Sequence, residues 1–166
     1  WYTPSPTDPA DYDDPRKIGR DDAESHEIWL KRSEAYMAPL DIVGYNYLYP
    51  FYEPDHRKYP ARVMWGSETH ALDFYDSWSE VKRLPYVLGD FTWTAYDNLG
   101  EAGTGRSCWA RDGFIPGISL ADWPWRTCYQ GDLDLCGYRR PQSYFREAVW
   151  IGGKAPAIFT THPEHY

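Results

Sequence analysis

An α/β fold built on a parallel sheet is predicted by three observations along the 166-residue chain. Three short apolar runs each turn polar at their C-terminal ends, segments with helical spacing precede or separate them, and the runs are continuous rather than alternating. Strands buried on both faces read in this way, whereas a sheet with one wet face alternates apolar and polar residues.

The elements follow in order. Residues 1–20 are rich in Pro, Asp and Tyr, lack periodicity and read as an irregular lead-in. From Asp21 to Met37, acidic residues at the start and Ile28, Trp29, Arg32 and Tyr36 at helical spacing predict an amphipathic helix. Pro39 ends it, and the run from Leu40 to Leu48 reads as the first buried strand, polar only at its tip. A connection containing Pro50, Pro54 and Pro60 reads as a loop leading to Arg62–Thr69, the second strand. Ala71 to Arg83 predicts a helix with Leu72, Tyr75, Trp78 and Val81 on one face, and Tyr86 to Ala95 a third strand. A Gly-rich polar loop follows from Asp97 to Gly103. The stretch to Arg140 is irregular and too long for an idle connection. Pro141 opens a last helix to Trp150, with Pro suited to a first helical position, and Gly152-Gly153 ends it. The chain thus divides into a lead-in over 1–20, an α/β body over 21–152 and a linker toward a further domain over 153–166. Right-handed crossovers between parallel strands would bring all three polar tips to one edge.

Composition bounds the function. With 42% apolar, 25% charged and 18% aromatic residues the chain can form a core. Nine Trp and 15 Tyr exceed the needs of that core, so some belong at surfaces or in clefts, carbohydrate-binding clefts among them. A net charge of −8 argues against a nucleic-acid partner, which requires clustered Lys and Arg. No apolar run approaches a membrane span, and a soluble protein is expected, with the cytoplasm favoured slightly over a secreted or periplasmic location. Cys108, Cys128 and Cys136 form no Cys-x-x-Cys pair and read as small buried residues, with one disulfide left open. His56, His162 and His165 are scattered or terminal, so no metal and no cofactor is expected.

The candidate catalytic residue is Glu68, a carboxylate at the polar end of an apolar strand just after Gly66-Ser67. The alternative is a rim Glu in a salt bridge. Trp93, at the tip of the third strand, is a further candidate, its indole offering a flat apolar face with a polar tip. Asn46, Tyr47 and Tyr45, ending the first strand, and His70, just past Glu68, are candidate binding residues at the same edge. Asp97 is a further substrate-binding candidate, although turn hydrogen bonds suit it and Glu101 better. Trp123 and Trp125 are candidates to roof the site from the long loop.

Taken together, Leu40-Asp41-Ile42-Val43-Gly44-Tyr45-Asn46-Tyr47, Gly66-Ser67-Glu68-Thr69, the run from Tyr86 to Glu101, Gly131-Asp132-Leu133-Asp134-Leu135, Gly137 and Pro141-Gln142-Ser143-Tyr144 resemble the C-terminal half of the barrel of glycoside hydrolase family 2, β-galactosidases in particular. The resemblance covers roughly residues 38 to 150; Asn98 departs from it, many relatives having Tyr there. It implies a partial (β/α)8 TIM barrel, about strands five or six to eight, since a complete barrel takes about 250 residues. It further implies that Glu68 is the nucleophile of a retaining glycosidase acting on terminal non-reducing β-D-galactosides, with an acid/base carboxyl about 5 to 5.5 Å away. The family carries that second group in an Asn-Glu pair, and no Asn-Glu dipeptide occurs in the chain, so these residues alone are expected to be inactive. Some relatives bind magnesium or sodium near the site; no ligand cluster with diagnostic spacing occurs here. β-Glucuronides and β-mannosides are the alternative substrates, and the absence of an Asn-x-Lys triplet favours a neutral sugar. From other classes, a non-catalytic carbohydrate-binding module and a structural α/β domain remain as alternatives. The open edges of a half-barrel would also invite a homo-oligomer.

Overall fold

The computed structural model describes residues 23–105, 125–152 and 156–159. The lead-in over 1–20, Cys108, Trp123 and most of the 153–166 tail lie outside the described residues. Two compact units divide the chain, one comprising residues 1–69 and 76–91 and the other residues 70–75 and 92–166.

The first unit is built on a parallel three-stranded sheet in the order β1-β2-β3, where β1 is Ile42–Asn46, β2 Val63–His70 and β3 Val87–Trp93, the last residues of β2 and β3 falling in the second unit. Its helices are α1 (Ala23–Met37), α2 (Tyr52–Lys58) and most of α3 (Phe74–Arg83). The three strands match those expected from the sequence; among the described residues the sheet does not close into a barrel. Val43, Tyr45, Met64 and Val87 from the strands meet Met37, Phe51, Tyr52 and Leu84 in the core. Among the described residues no helix is long and apolar enough to cross a membrane.

Helical faces differ from the sequence expectation in two places. On α1 the buried stripe is Trp29, Ser33 and Met37, four residues apart, while Ile28 and Tyr36 face water. Ser33 is tolerated there because its hydroxyl donates back to the Trp29 carbonyl at 2.7 Å. After β2, residues Ala71–Asp73 form a 3-10 turn before α3, whose buried side is Phe74 and Ser77; Leu72, at 89% exposure, and Tyr75 point outward. The connection expected to be a loop contains α2 and a preceding 3-10 turn over Tyr49–Phe51. Its prolines do not prevent this. Pro50 stands at the start of the turn and Pro54 third in α2, positions whose missing N–H has no intrahelical acceptor to lose.

An ion-pair hub centred on a fully buried carboxylate ties this unit together. Asp55, at 0% exposure, receives His26 Nε2 at 2.5 Å on one oxygen; the Tyr45 hydroxyl at 2.6 Å, Trp29 Nε1 at 3.1 Å and Arg62 Nη1 at 3.1 Å reach the other. Arg62 also lies over the Tyr59 ring, 4.0 Å from its centroid.

In the second unit, residues 94–104 and 125–140 run beside each other through backbone bonds, among them Leu133 N to Ala95 O at 3.0 Å and Cys128 N to Asn98 O at 2.9 Å. The helix α4 (Pro141–Ile151) docks through Arg146, which donates to Asp132 Oδ2 at 2.6 Å and Thr92 Oγ1 at 2.5 Å while stacking on Phe74. Gly131 has no room for a side chain: a Cβ there would lie 2.2 Å from Asp97 N and 2.4 Å from Leu133 O, both backbone atoms. Gly131→Ala is therefore expected to destabilise the unit by about 3 kcal/mol or more, read as a lowered denaturation midpoint, because backbone cannot yield as a side-chain end can.

Candidate active site

A β-bulge decides where Glu68 points. Tyr45 on β1 pairs with Gly66 on β2, but the next residue, Asn46, pairs with Glu68, so that Ser67 is an extra residue in β2. Burial along β2 records the change of phase: Met64 and Gly66 are buried, and the next buried residue is Thr69 rather than Glu68. Unbroken alternation would turn Glu68 to the side of Met64, which belongs to the core. The extra residue turns it toward Asn46 instead.

The carboxylate is held in a short relay. Ser67 Oγ donates to Asn46 Oδ1 at 3.1 Å, and Asn46 Nδ2 donates to Glu68 Oε2 at 2.6 Å. The two bonds together fix which end of the Asn46 amide faces the acid, since only its NH2 can donate to a carboxylate. Gly44 keeps the space behind this relay open, as a Cβ there would lie 2.9 Å from Trp65 Nε1 and 3.0 Å from Ser67 Cβ. Tyr47 donates its backbone N–H to the Glu68 carbonyl at 2.8 Å and adopts a left-handed conformation, φ 58°, rare outside glycine. Strained backbone of this kind costs on the order of 1 kcal/mol and concentrates at functional sites.

On the opposite side of β2, Asp90 of β3 supports the bulge. Its Oδ1 accepts the Thr69 hydroxyl at 2.5 Å and lies 2.0 Å from the position a Cβ on Gly66 would occupy. Tyr52 closes the same space, with its hydroxyl 2.8 Å from that position. Burial first, then the negative charge of Asp90, holds that hydroxyl protonated well above the usual tyrosine range.

The remaining candidates separate. Tyr45 is not a substrate-facing residue: it is fully buried, and its hydroxyl donates to Asp55 and receives Arg62. Burial, then the hydrogen bond to Asp55, pushes its hydroxyl far above the ordinary range, keeping it a donor. Asp97 is likewise structural, being buried and accepting Gly131 N at 2.9 Å and the Arg140 guanidinium. His70, Trp93 and Trp125 belong to the second unit. His70 and Trp93 are half-buried, Trp93 ends β3 with a cis peptide bond to Thr94, and Trp125 packs edge-on against Tyr129 at 5.3 Å. Ser67, Thr69 and Asp90 were not expected from the sequence; the signal available for them was Gly66 inside a strand, which marks bulges and close approaches.

The arrangement offers one carboxylate at a strand tip, oriented by a neutral amide and with a second oxygen to present elsewhere. Such a group can act as a nucleophile or a base. The chain is similar to two solved structures, both glycosyl hydrolase family 2 members from Bacteroides cellulosilyticus. One is 35% identical over 78% of this chain and 19% of its own, with a TM-score of 0.61. The other is 31% identical over 79% of this chain and 18% of its own, with a TM-score of 0.53. The chain thus spans about a fifth of the length of either. No family model and no curated protein matches it.

Proposed function

We infer that this chain is part of the catalytic domain of a glycoside hydrolase family 2 enzyme, a retaining glycosidase in which Glu68 is the nucleophile. One observation carries the reading: in a chain 35% identical to a family member, the bulge turns the Glu68 carboxylate to Asn46 at the C-terminal tip of a parallel strand. Catalytic groups of barrel enzymes occupy that edge. The three described strands and their helices then form the end of a (β/α)8 barrel.

In the first half of the reaction Glu68 attacks the anomeric carbon, the glycosidic C–O bond breaks, and the leaving oxygen takes a proton from a carboxylic acid. In the second half that group, now a carboxylate, deprotonates water, which displaces Glu68 from the sugar. The Asn46 N–H, bonded to Glu68 Oε2, leaves the other oxygen free for attack and keeps the side chain from rotating away.

The substrate proposed is a terminal β-D-galactoside, which the resemblance to family 2 β-galactosidases supports; the lack of an Asn-x-Lys triplet favours a neutral sugar over a uronic acid. β-Mannosides are separated from it by a nitrophenyl glycoside panel on the whole enzyme. The acid/base comes from outside these residues, as no Asn-Glu dipeptide occurs among them. Residues 1–166 expressed alone are therefore expected to release no nitrophenol from nitrophenyl galactoside above background. Turnover at a rate typical of an intact glycosidase would overturn that assignment. A carbohydrate-binding module of the antiparallel sandwich type is disfavoured by the parallel pairing of β1 with β2 through α2.

A further inference from the structure

We propose that Thr69 and Asp90, with Gly66, form a clamp that holds the β2 bulge and so positions Glu68; this role rests on Glu68 being the nucleophile. Parallel strands admit a competing arrangement in which β2 continues without the bulge. A one-residue slip of that kind exchanges the faces of every residue beyond it. Glu68 would then enter the side occupied by Thr69, a buried residue facing Asp90, and bring two carboxylates together away from water.

Three features oppose the slip, two at Gly66 and one at Thr69. Asp90 Oδ1 fills the space beside Gly66, the last residue before the bulge, which only glycine leaves open. The same oxygen accepts the hydroxyl of Thr69, the first residue beyond the bulge to return to that side. Tyr52, fully buried, walls the space from α2. One carboxylate on β3 therefore meets β2 on both sides of Glu68, at Gly66 and at Thr69. Thr69 and Asp90 are positioning residues, and their effect should fall on the rate of attack rather than on the affinity for sugar.

The test uses the whole enzyme and a dinitrophenyl galactoside bearing fluorine beside the anomeric carbon, which traps the nucleophile as a stable ester. Thr69→Val removes the donor at nearly constant volume and is expected to slow trapping about 100-fold, the loss that follows a displacement near 1 Å. Stoichiometry at completion should stay at one sugar per chain, and KM for nitrophenyl galactoside should stay within threefold. Thr69→Ser, which keeps the hydroxyl, should restore the rate to within a few-fold of the parent. If Thr69→Val does not yield folded enzyme, Thr69→Ala reads the same rate constant without the branched side chain. Trapping at the parental rate by Thr69→Val or Thr69→Ala overturns the clamp. So does a loss that appears only as a smaller fraction of enzyme trapped, since that is the mark of unfolding. Glu68→Gln separates the two claims: an enzyme still turning over without the carboxylate refutes the nucleophile and the positioning role with it, whereas a dead Glu68→Gln beside a normal Thr69→Val refutes the clamp alone.

Discussion

Glu68→Ala in the whole enzyme is expected to lower kcat by roughly 10⁴- to 10⁶-fold, the range seen when a member of a covalent catalytic set is removed. The magnitude follows from what the carboxylate does. Without it the anomeric carbon has no partner to share its positive charge, and water cannot enter from that face with comparable alignment. The void left by the side chain adjoins Asn46, whose amide then points at empty space rather than at an acid. Azide, small and anionic, should occupy that void and attack in place of Glu68, releasing a glycosyl azide of inverted configuration. Partial rescue of turnover by azide, with the product identified by NMR, is the outcome that a merely supporting Glu would not give. An enzyme unaffected by the substitution, or one whose loss azide leaves unchanged, would remove Glu68 from the chemistry.

Asp55→Ala should be the most damaging single substitution for the first unit. Asp55 is fully buried and its partner Arg62 is nearly so, with 8% of that side chain exposed. Truncation leaves the guanidinium, the Tyr45 hydroxyl and the Trp29 indole N–H without their shared acceptor. Breaking a buried pair from one side costs about 3–5 kcal/mol, more than the intact pair contributes, because the stranded charge must stay out of water. Amide hydrogen exchange at Val43 and Tyr45 of β1 should accelerate by roughly two to four orders of magnitude. Asp55→Asn, which can still accept from Tyr45 and Trp29, should lie between. Exchange unchanged in Asp55→Ala would mean that the hub is incidental to the stability of β1.

What the sequence made legible was whatever depends on local pattern. The three apolar runs are the three strands, and their ends carry Asn46, Glu68 and Trp93, because an apolar run bounded by turn residues marks a strand without tertiary knowledge. The burial expected on both faces is not met among the described residues, since Ile42, Trp65, Leu88 and Phe91 are exposed. The helix after Pro141 was readable from its first residue. α2 was obscured by Pro50 and Pro54, which look like breakers until their places in the first turns are known. The fates of Tyr45 and Asp97 were also hidden. Nothing near Tyr45 announces a carboxylate ten residues on, and the Arg140 that pairs with Asp97 lies 43 residues away. Most of all, the direction of Glu68 depends on a register change with β1, which no alternation count within β2 can reveal.

The Asp55 hub has a bearing on how the chain acquires its shape. Its four donors lie 29, 26, 10 and 7 residues from Asp55, and all precede β3 in the chain. Short loops close quickly and at small entropic cost. Every member of the hub is synthesised before the first residue of β3, so α1, β1 and α2 can set their mutual orientation from contacts that do not need that strand.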